Sequence, residues 1–161
     1  MLNANVSKLL NEQINKEMYS AYLYLDMANY YINNGLNGFG AWFNKQASEE
    51  MSHAVKFIHY LQDNNFAVTL DAIAKPSKAF KSHREPLIET LNHELFVTAS
   101  INAIYLEAQK ALDFRTQEFL HWFIKEQNEE EKNSNDLIAQ YDLFGGPGLF
   151  ALDSKLGAAR Q

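Results

Sequence analysis

The sequence predicts an all-α protein: a four-helix bundle with one long crossover, followed by a short fifth helix at the C-terminus. Three observations lead to this prediction. The chain has 161 residues, of which 47% are hydrophobic, which is enough for one domain with a substantial core. Its apolar residues recur every three or four positions along stretches that only three prolines interrupt. The connections between these stretches are short, then long, then short.

The first half of the chain predicts two long helices joined by a tight turn. The first is expected over about 5–33 and ends at the Asn-Asn-Gly turn of 33–35, since no proline interrupts it. The second is expected over about 38–64 and ends at the Asp-Asn-Asn sequence of 63–65. The segment 66–82 is too long for a tight helix–helix turn and is therefore predicted to be the crossover.

The second half predicts two further long helices and a short one. The third is expected over about 82–112, with Pro86 tolerated in its first turn. The fourth is expected over about 115–144 and stops at the Gly-Gly-Pro-Gly sequence of 145–148. The whole chain, 1–161, is expected to be a single domain, with the bundle over about 5–144 and the short helix over about 147–157.

The composition excludes several classes of function. The net charge is −6 and no run of Lys or Arg stands out, which argues against nucleic acid or an anionic membrane surface as a partner. The absence of cysteine excludes disulfides, thiolate zinc sites, iron–sulfur clusters and cysteine nucleophiles. No stretch approaches the roughly 20 apolar residues needed to cross a bilayer, and the N-terminus has no signal-peptide core. We therefore expect a cytoplasmic protein.

Each predicted helix carries one carboxylate near the middle of its apolar stripe. Residues three or four apart share a face of a helix, so the stripes follow from the spacing. They are Leu10, Ile14, Glu17, Ala21, Tyr24, Ala28 and Tyr31 in the first helix; Phe43, Ala47, Glu50, His53, Phe57 and Leu61 in the second; Leu87, Leu91, Glu94, Thr98, Ile101, Tyr105, Ala108 and Leu112 in the third; and Leu120, Phe123, Gln127, Glu130, Ser134, Leu137, Tyr141 and Phe144 in the fourth. Four such carboxylates would meet at one level of the bundle.

Four facing carboxylates predict a metal site. A buried carboxylate without a partner normally takes up a proton, and several together are worse unless cations lie between them. A pair of divalent metal ions is the simplest solution. Glu50 and His53 are one turn apart, so both can reach one metal. The fourth helix has Gln127 where a symmetric site would have a second Glu-x-x-His, so we expect two metals bound unequally.

Four segments of the chain resemble matching segments of bacterial non-haem ferritins: NEQINKEMYSAYLYL, ASEEMSHA, LNHE and FLHWFIKEQNEEEK. The similarity extends over almost the whole chain. It implies the ferritin-like bundle, and a shell of about 24 copies of the chain that oxidises ferrous iron and stores the ferric mineral inside. Dioxygen or peroxide would be the oxidant, and iron the metal.

The resemblance also implies a role for particular residues. Glu17, Glu50 and His53 would hold one iron, with Glu50 bridging to a second. Glu94 and Glu130 would complete the second iron site. Tyr24 and Gln127 would adjoin this centre, and a third, weaker iron site would comprise Glu49, Glu126, Glu129 and again Glu130.

Alternatives remain open at this point. Glu49, Glu126 and Glu129 lie off the stripes and are also typical of a solvated face, and Tyr24 is equally consistent with a plain core tyrosine. A rubrerythrin-like di-iron protein and a haem-binding, bacterioferritin-like protein are the other functions considered, beside a structural bundle without metal. Met51 occupies the position of a haem ligand, but the segment 127–130 matches the non-haem group, so haem is not expected. The other four histidines are read as surface or interface residues: His59, His83, His93 and His121.

Overall fold

The computed structural model describes residues 2–159 and confirms the predicted fold class. All the regular structure within these residues is helical. The five helices are α1 (Ala4–Asn33), α2 (Asn37–Asp63), α3 (Glu85–Lys110), α4 (Phe114–Phe144) and α5 (Leu149–Ala159). None of the helices among the described residues is both long and apolar enough to cross a membrane.

The ends of α1 and α2 follow the turn signals in the sequence. The side chain of Asn3 caps α1 by accepting hydrogen bonds from the backbone N–H groups of Asn5 and Val6. Beyond α1, Gly35 adopts a φ of +78°, which glycine reaches without steric cost and which turns the chain into α2. At the other end of α2, Asn65 takes the same role with a φ of +59°. Both predicted turns are therefore present.

The bounds of α3 differ from the prediction at both ends. The helix begins at Glu85 rather than near residue 82, which places Pro86 in the first turn, where its missing N–H leaves no hydrogen bond unmade. It ends at Lys110, because Leu112 has a φ of +55° and cannot continue a right-handed helix. Leu112 is 71% exposed and does not belong to the core stripe to which its spacing assigned it.

The crossover runs back along α1. The side chain of Asn11 bonds both backbone groups of Thr69, with a 2.9 Å bond to its carbonyl and a 3.0 Å bond from its N–H. Further along, Asn15 donates to the carbonyl of Ala72 at 3.1 Å, and Tyr31, near the end of α1, donates to the carbonyl of His83 at 2.6 Å. The crossover therefore returns the chain to the end of the bundle where α2 began. As a result, α3 runs in the same direction as α2.

The short helix α5 packs on the N-terminal end of α2. The N-cap residue of α2, Leu36, has no side chain that could cap the helix. Asp153 of α5 supplies this cap instead, since its Oδ1 accepts a 2.9 Å hydrogen bond from the N–H of Phe39. A Cβ on Gly38 would lie only 1.7 Å from the carbonyl oxygen of Asp153, so glycine is what allows the approach. The helix covers 149–159 rather than 147–157, because the glycine turn extends through Gly148.

The interior consists of two apolar clusters with a polar layer between them. One cluster lies at the end of the bundle near α5, around Tyr31 and Phe43. The other lies at the opposite end, around Phe57 and Phe123, whose rings stack with centroids 4.2 Å apart. The stripes of α1 and α2 are buried as predicted. In α3, however, the buried face includes Thr90, Val97 and Ile104 rather than Leu91, Thr98 and Tyr105.

Candidate metal centre

Glu17 of α1 meets Glu50 and His53 of α2 in the polar layer. Residues 50 and 53 are one turn apart on the buried face of α2, so both side chains reach the same point. The Nδ1 atom of His53 lies 3.4 Å from Glu50 Oε2 and 3.9 Å from Glu17 Oε2. One ligand atom from each residue lies within 4.8 Å of the others, and all three residues are buried. We call this group position 1.

A second group lies beside the first and shares a residue with it. It consists of Glu50, Glu94 of α3 and Glu130 of α4, again with ligand atoms within 4.8 Å of one another and all buried. We call it position 2. Because Glu50 belongs to both groups, it lies where a bridging carboxylate between two ions would lie. The structure therefore brings together the five residues of the expected di-iron centre.

The atoms of position 1 are those that a metal ion would satisfy. Among residues 2–159, three buried side-chain atoms lack a hydrogen-bond partner: Glu17 Oε2, Glu50 Oε1 and His53 Nδ1. A buried polar atom left unpaired typically costs about 1–3 kcal/mol. These atoms belong to the three residues of one group, and a cation bound among them would remove all three penalties together. Carboxylate oxygens with one imidazole nitrogen are donors that suit ferrous iron.

The two carboxylates that belong to position 2 and not to position 1, those of Glu94 and Glu130, already accept hydrogen bonds. Glu94 Oε2 accepts a 3.0 Å hydrogen bond from the amide of Gln127, and Glu94 Oε1 accepts a hydrogen bond from the hydroxyl of Tyr24. Glu130 Oε2 accepts a 2.7 Å bond from the amide of Gln46. The two positions therefore differ: every residue of position 1 has an unpaired buried atom, whereas Glu94 and Glu130 of position 2 have none. Unequal binding of two metals, which the single histidine indicated, stays a prediction.

Two buried glutamines at this centre were not recognised from the sequence. Gln13 donates to Glu17 Oε1 at 2.7 Å, and Gln46 donates to Glu130 Oε2 at the same distance. Both are almost fully buried. A signal was available, because Gln13 precedes Glu17 by one turn and Gln46 precedes Glu50 by one turn on the same helix face. A glutamine is often a surface residue, so this spacing alone did not single them out.

Burial raises the pKa values of all four carboxyl groups. Burial and the facing charge of Glu50 hold the pKa of Glu17 well above its usual range. Burial, then the charge of Glu94, does the same to the pKa of Glu50 and raises the pKa of Glu130 to about 8. For Glu94, burial also raises the pKa, although hydrogen bonds from Tyr24 and Gln127 act in the opposite direction. The metal-free centre therefore holds protons at neutral pH, and a bound cation would displace them.

Tyr24 is a fully buried residue at the edge of position 2. Its hydroxyl donates to Glu94 Oε1, and its ring lies 6.0 Å from the rings of both Phe43 and His93. Burial, followed by the charge of Glu94, raises the pKa of Tyr24 well above its usual range. The phenol therefore stays neutral at neutral pH and acts as a donor that orients the Glu94 carboxylate.

The third expected site is brought together only in part. Glu126 Oε1 lies 3.6 Å from His53 Nε2, on the opposite side of the imidazole from position 1. Together with Glu130, these residues form a third group with ligand atoms within 4.8 Å. Glu49 is half-buried and Glu129 is exposed, and neither belongs to any of the three groups.

The prediction that His93 is a surface or interface residue is wrong. The residue is 8% exposed, and its Nε2 lies 2.7 Å from the hydroxyl of Ser20. Burial lowers the pKa of His93 to about 4, so the imidazole is neutral at neutral pH. The reason is the wide buried face of α3, which includes position 93 as well as position 94. Met51, in contrast, is 40% exposed.

A second Glu-x-x-His sequence shows why the motif alone does not make a site. Glu118 and His121 of α4 have the same spacing as Glu50 and His53. Their side chains are 83% and 50% exposed, and His121 Nδ1 lies 3.2 Å from Glu118 Oε2. The difference is therefore the position of the motif relative to the core and not its composition.

Fold and site together define a class of protein: a four-helix bundle with one long crossover and a buried candidate di-metal centre. The model of the ferritin-like domain family matches residues 7–144. The chain therefore belongs to the ferritin family, which confirms the resemblance seen in its motifs.

Similar proteins cover nearly the whole chain. The bacterial non-heme ferritin of Campylobacter jejuni is 42% identical over 155 residues, which are 95% of this chain and 93% of that one. A probable bacterial non-heme ferritin-like protein of Haemophilus influenzae is 36% identical and covers 98% of this chain and 96% of its own. Among solved structures, an open pore ferritin from Archaeoglobus fulgidus matches with a TM-score of 0.95, 35% identity and 98% coverage of both chains.

Proposed function

We propose that this protein stores iron, and that the centre formed by positions 1 and 2 is a ferroxidase site that oxidises ferrous to ferric iron with dioxygen. The observation that carries the proposal is the set of three unpaired buried atoms on Glu17, Glu50 and His53. Membership of the ferritin family and relatives named as non-heme ferritins give the metal as iron. Iron is here both substrate and cargo.

The ligand set suits oxidation. Carboxylate oxygens are hard donors that favour ferric over ferrous iron, which makes the loss of an electron easier. Two ferrous ions held side by side give up one electron each, and one dioxygen that takes both electrons and two protons leaves as hydrogen peroxide. The two protons come from the surrounding water, because the ferrous ions displace the protons that Glu17, Glu50 and Glu130 hold in the metal-free centre.

The residues of the chain would bind the ferrous ions, orient the carboxylates and exclude water from the centre. Glu17, Glu50 and His53 would hold one ferrous ion, and Glu50, Glu94 and Glu130 the other. Hydrogen bonds from Tyr24 and Gln127 orient the carboxylate of Glu94. A hydrogen bond from Gln46 orients that of Glu130. The apolar clusters on either side of the centre shield it from solvent. The proposed ligand set has a single histidine, His53, so we expect it to release the ferric product.

Acidic residues next to the centre would carry the oxidised iron toward the mineral. We propose that Glu126, beside His53, receives iron from the centre. Together with Glu49, Glu129 and Glu130 it would form the weaker third site that passes the iron on. We further propose a shell of about 24 subunits around the mineral, in the cytoplasm. This rests on the chain's likeness to ferritins whose structures are known.

The test is ferrous iron added to the metal-free protein under air, with the appearance of ferric iron followed by its ultraviolet absorbance. A Glu50→Ala/His53→Ala variant is expected to oxidise iron more than about tenfold more slowly, since both proposed positions lose a ligand. The matched control is Glu118→Ala/His121→Ala, the same residue types at the same spacing on an exposed face. Equal rates for the first variant and the unaltered protein would refute the site.

A further inference from the structure

A chain of hydrogen bonds joins the surface of the protein to Glu17. The ammonium group of Lys16 donates to the hydroxyl of Ser100 at 2.7 Å. That hydroxyl donates to Oε1 of Gln13, also at 2.7 Å, and the amide nitrogen of Gln13 donates to Glu17 Oε1 at 2.7 Å. The chain crosses from α1 to α3 and back, and Lys16 is its partly exposed end. Gln13 in its middle is fully buried.

Every bond in this chain has a fixed direction. An ammonium group only donates, so the oxygen of Ser100 must accept from Lys16 and turn its own proton toward Gln13. A carboxamide has two orientations related by a half-turn, and the proton from Ser100 selects the one with the carbonyl oxygen toward α3. The amide nitrogen then faces Glu17. Without the ammonium, a helical serine hydroxyl can turn back to the carbonyl four residues earlier in its own helix.

We propose that Lys16 is a positioning residue for position 1, acting through Ser100 and Gln13 to fix the orientation of the Glu17 carboxylate. With Oε1 occupied by the amide of Gln13, Glu17 presents Oε2, its unpaired oxygen, to the metal. The inference rests on the proposed function, because it concerns the same metal centre. It adds three residues that are not ligands.

A second reading of Lys16 predicts the opposite result. A positive charge near a cation site repels cations through space, so removing it should strengthen metal binding. If Lys16 acts through the hydrogen-bond chain, removing it frees the amide of Gln13 to turn its oxygen toward Glu17, and metal binding weakens. The sign of the change in affinity therefore distinguishes a positioning role from a simple charge effect.

The experiment is a titration of the metal-free protein with Co²⁺, a redox-inert divalent probe under these conditions. The visible absorbance of the bound ion reports the ligands around it, and calorimetry gives the dissociation constants. Lys16→Met and Ser100→Ala are each expected to weaken Co²⁺ binding at position 1 by about tenfold, the size usual for residues that hydrogen-bond a metal ligand. Both variants should also change the absorbance of the ion bound there.

A double-mutant cycle decides whether the two residues act as one chain. The double variant Lys16→Met/Ser100→Ala should bind Co²⁺ as weakly as either single variant and no more weakly, because breaking one link already frees Gln13. The control Lys8→Met removes the same charge from an exposed position on the same helix and should leave binding unchanged.

The remaining outcomes overturn the inference. Tighter binding by Lys16→Met, unchanged binding, or additive effects in the double variant would each contradict the chain while leaving the proposed function standing. If the unaltered protein itself bound no Co²⁺ at the buried centre, the proposed function would fail, and the inference with it.

Discussion

Replacing Glu130 by glutamine is expected to stabilise the metal-free protein while it weakens the metal site. Glu130 is 3% exposed, and burial followed by the charge of Glu94 raises its pKa from the usual 4.5 to about 8. In the unfolded chain the carboxyl group loses its proton near the usual value. Between these two pKa values the folded state binds more protons than the unfolded state, so this group makes the metal-free fold less stable as the pH rises.

The magnitude follows from the pKa interval. At pH 7 the interval above 4.5 is about two and a half pH units, and each is equivalent to about 1.4 kcal/mol, which gives roughly 3 kcal/mol. A glutamine has the same shape and can still accept the bond from Gln46 through its carbonyl oxygen, but it has no charge to bury. Glu130→Gln should therefore recover about 3 kcal/mol at pH 7 and less than about 1 kcal/mol at pH 5.

The assay is thermal unfolding of the metal-free protein at several pH values and one protein concentration. For a chain of this size, 3 kcal/mol is equivalent to a rise of roughly 6–12 °C in Tm. Added Zn²⁺ should raise the Tm of the unaltered protein more than that of the variant, since position 2 has lost a carboxylate. A Tm difference that does not depend on pH, or a variant less stable at pH 7, would refute the reasoning. Glu118→Gln, at an exposed position, is the control.

Three further predictions follow from particular contacts. Gly38→Ala should lower the Tm by several degrees, because its Cβ would collide with the carbonyl of Asp153 and displace α5 from the end of α2. Tyr24→Phe should lower the free energy of unfolding of the metal-free protein by about 1–2 kcal/mol, because Glu94 loses a buried hydrogen-bond donor. Glu126→Gln/Glu129→Gln should leave the oxidation of a first addition of ferrous iron fast and slow that of later additions, as followed by absorbance.

Each of these predictions has a matched control variant or a result that would contradict it. Gly146→Ala places a Cβ where no atom lies within 4 Å and should leave the Tm nearly unchanged. A Tyr24→Phe protein as stable as the original would show that the hydroxyl contributes no net stability. If later additions of iron were oxidised as fast as the first in the double Gln variant, Glu126 and Glu129 would have no part in transit.

The candidate ligands could be selected from the sequence, whereas the residues that hold their side chains in place could not. Glu17, Glu50, Glu94 and Glu130 stand out because a charge within an apolar helical stripe contradicts its surroundings. Gln13 and Gln46 do not stand out, since a neutral amide on a stripe has no comparable cost and fits a surface as well. Their role depends on which atom faces which carboxylate, and this is a matter of side-chain orientation across two or three helices.

The errors of the sequence analysis concentrate in α3. This helix has exposed apolar residues such as Leu95 and Phe96, so its spacing fits more than one stripe, and the burial of His93 could not be separated from exposure. The wrong assignment of Leu112 to the core stripe has a different cause. Its positive φ is set by the turn into α4, which the helical period does not report.

The most direct test of the central claim is anomalous diffraction from crystals of this protein soaked in ferrous salt without oxygen. We expect two iron peaks in every subunit, one among Glu17, Glu50 and His53 and one among Glu50, Glu94 and Glu130. Iron found only at exposed carboxylates, with no peak in the polar layer between the two apolar clusters, would contradict the account.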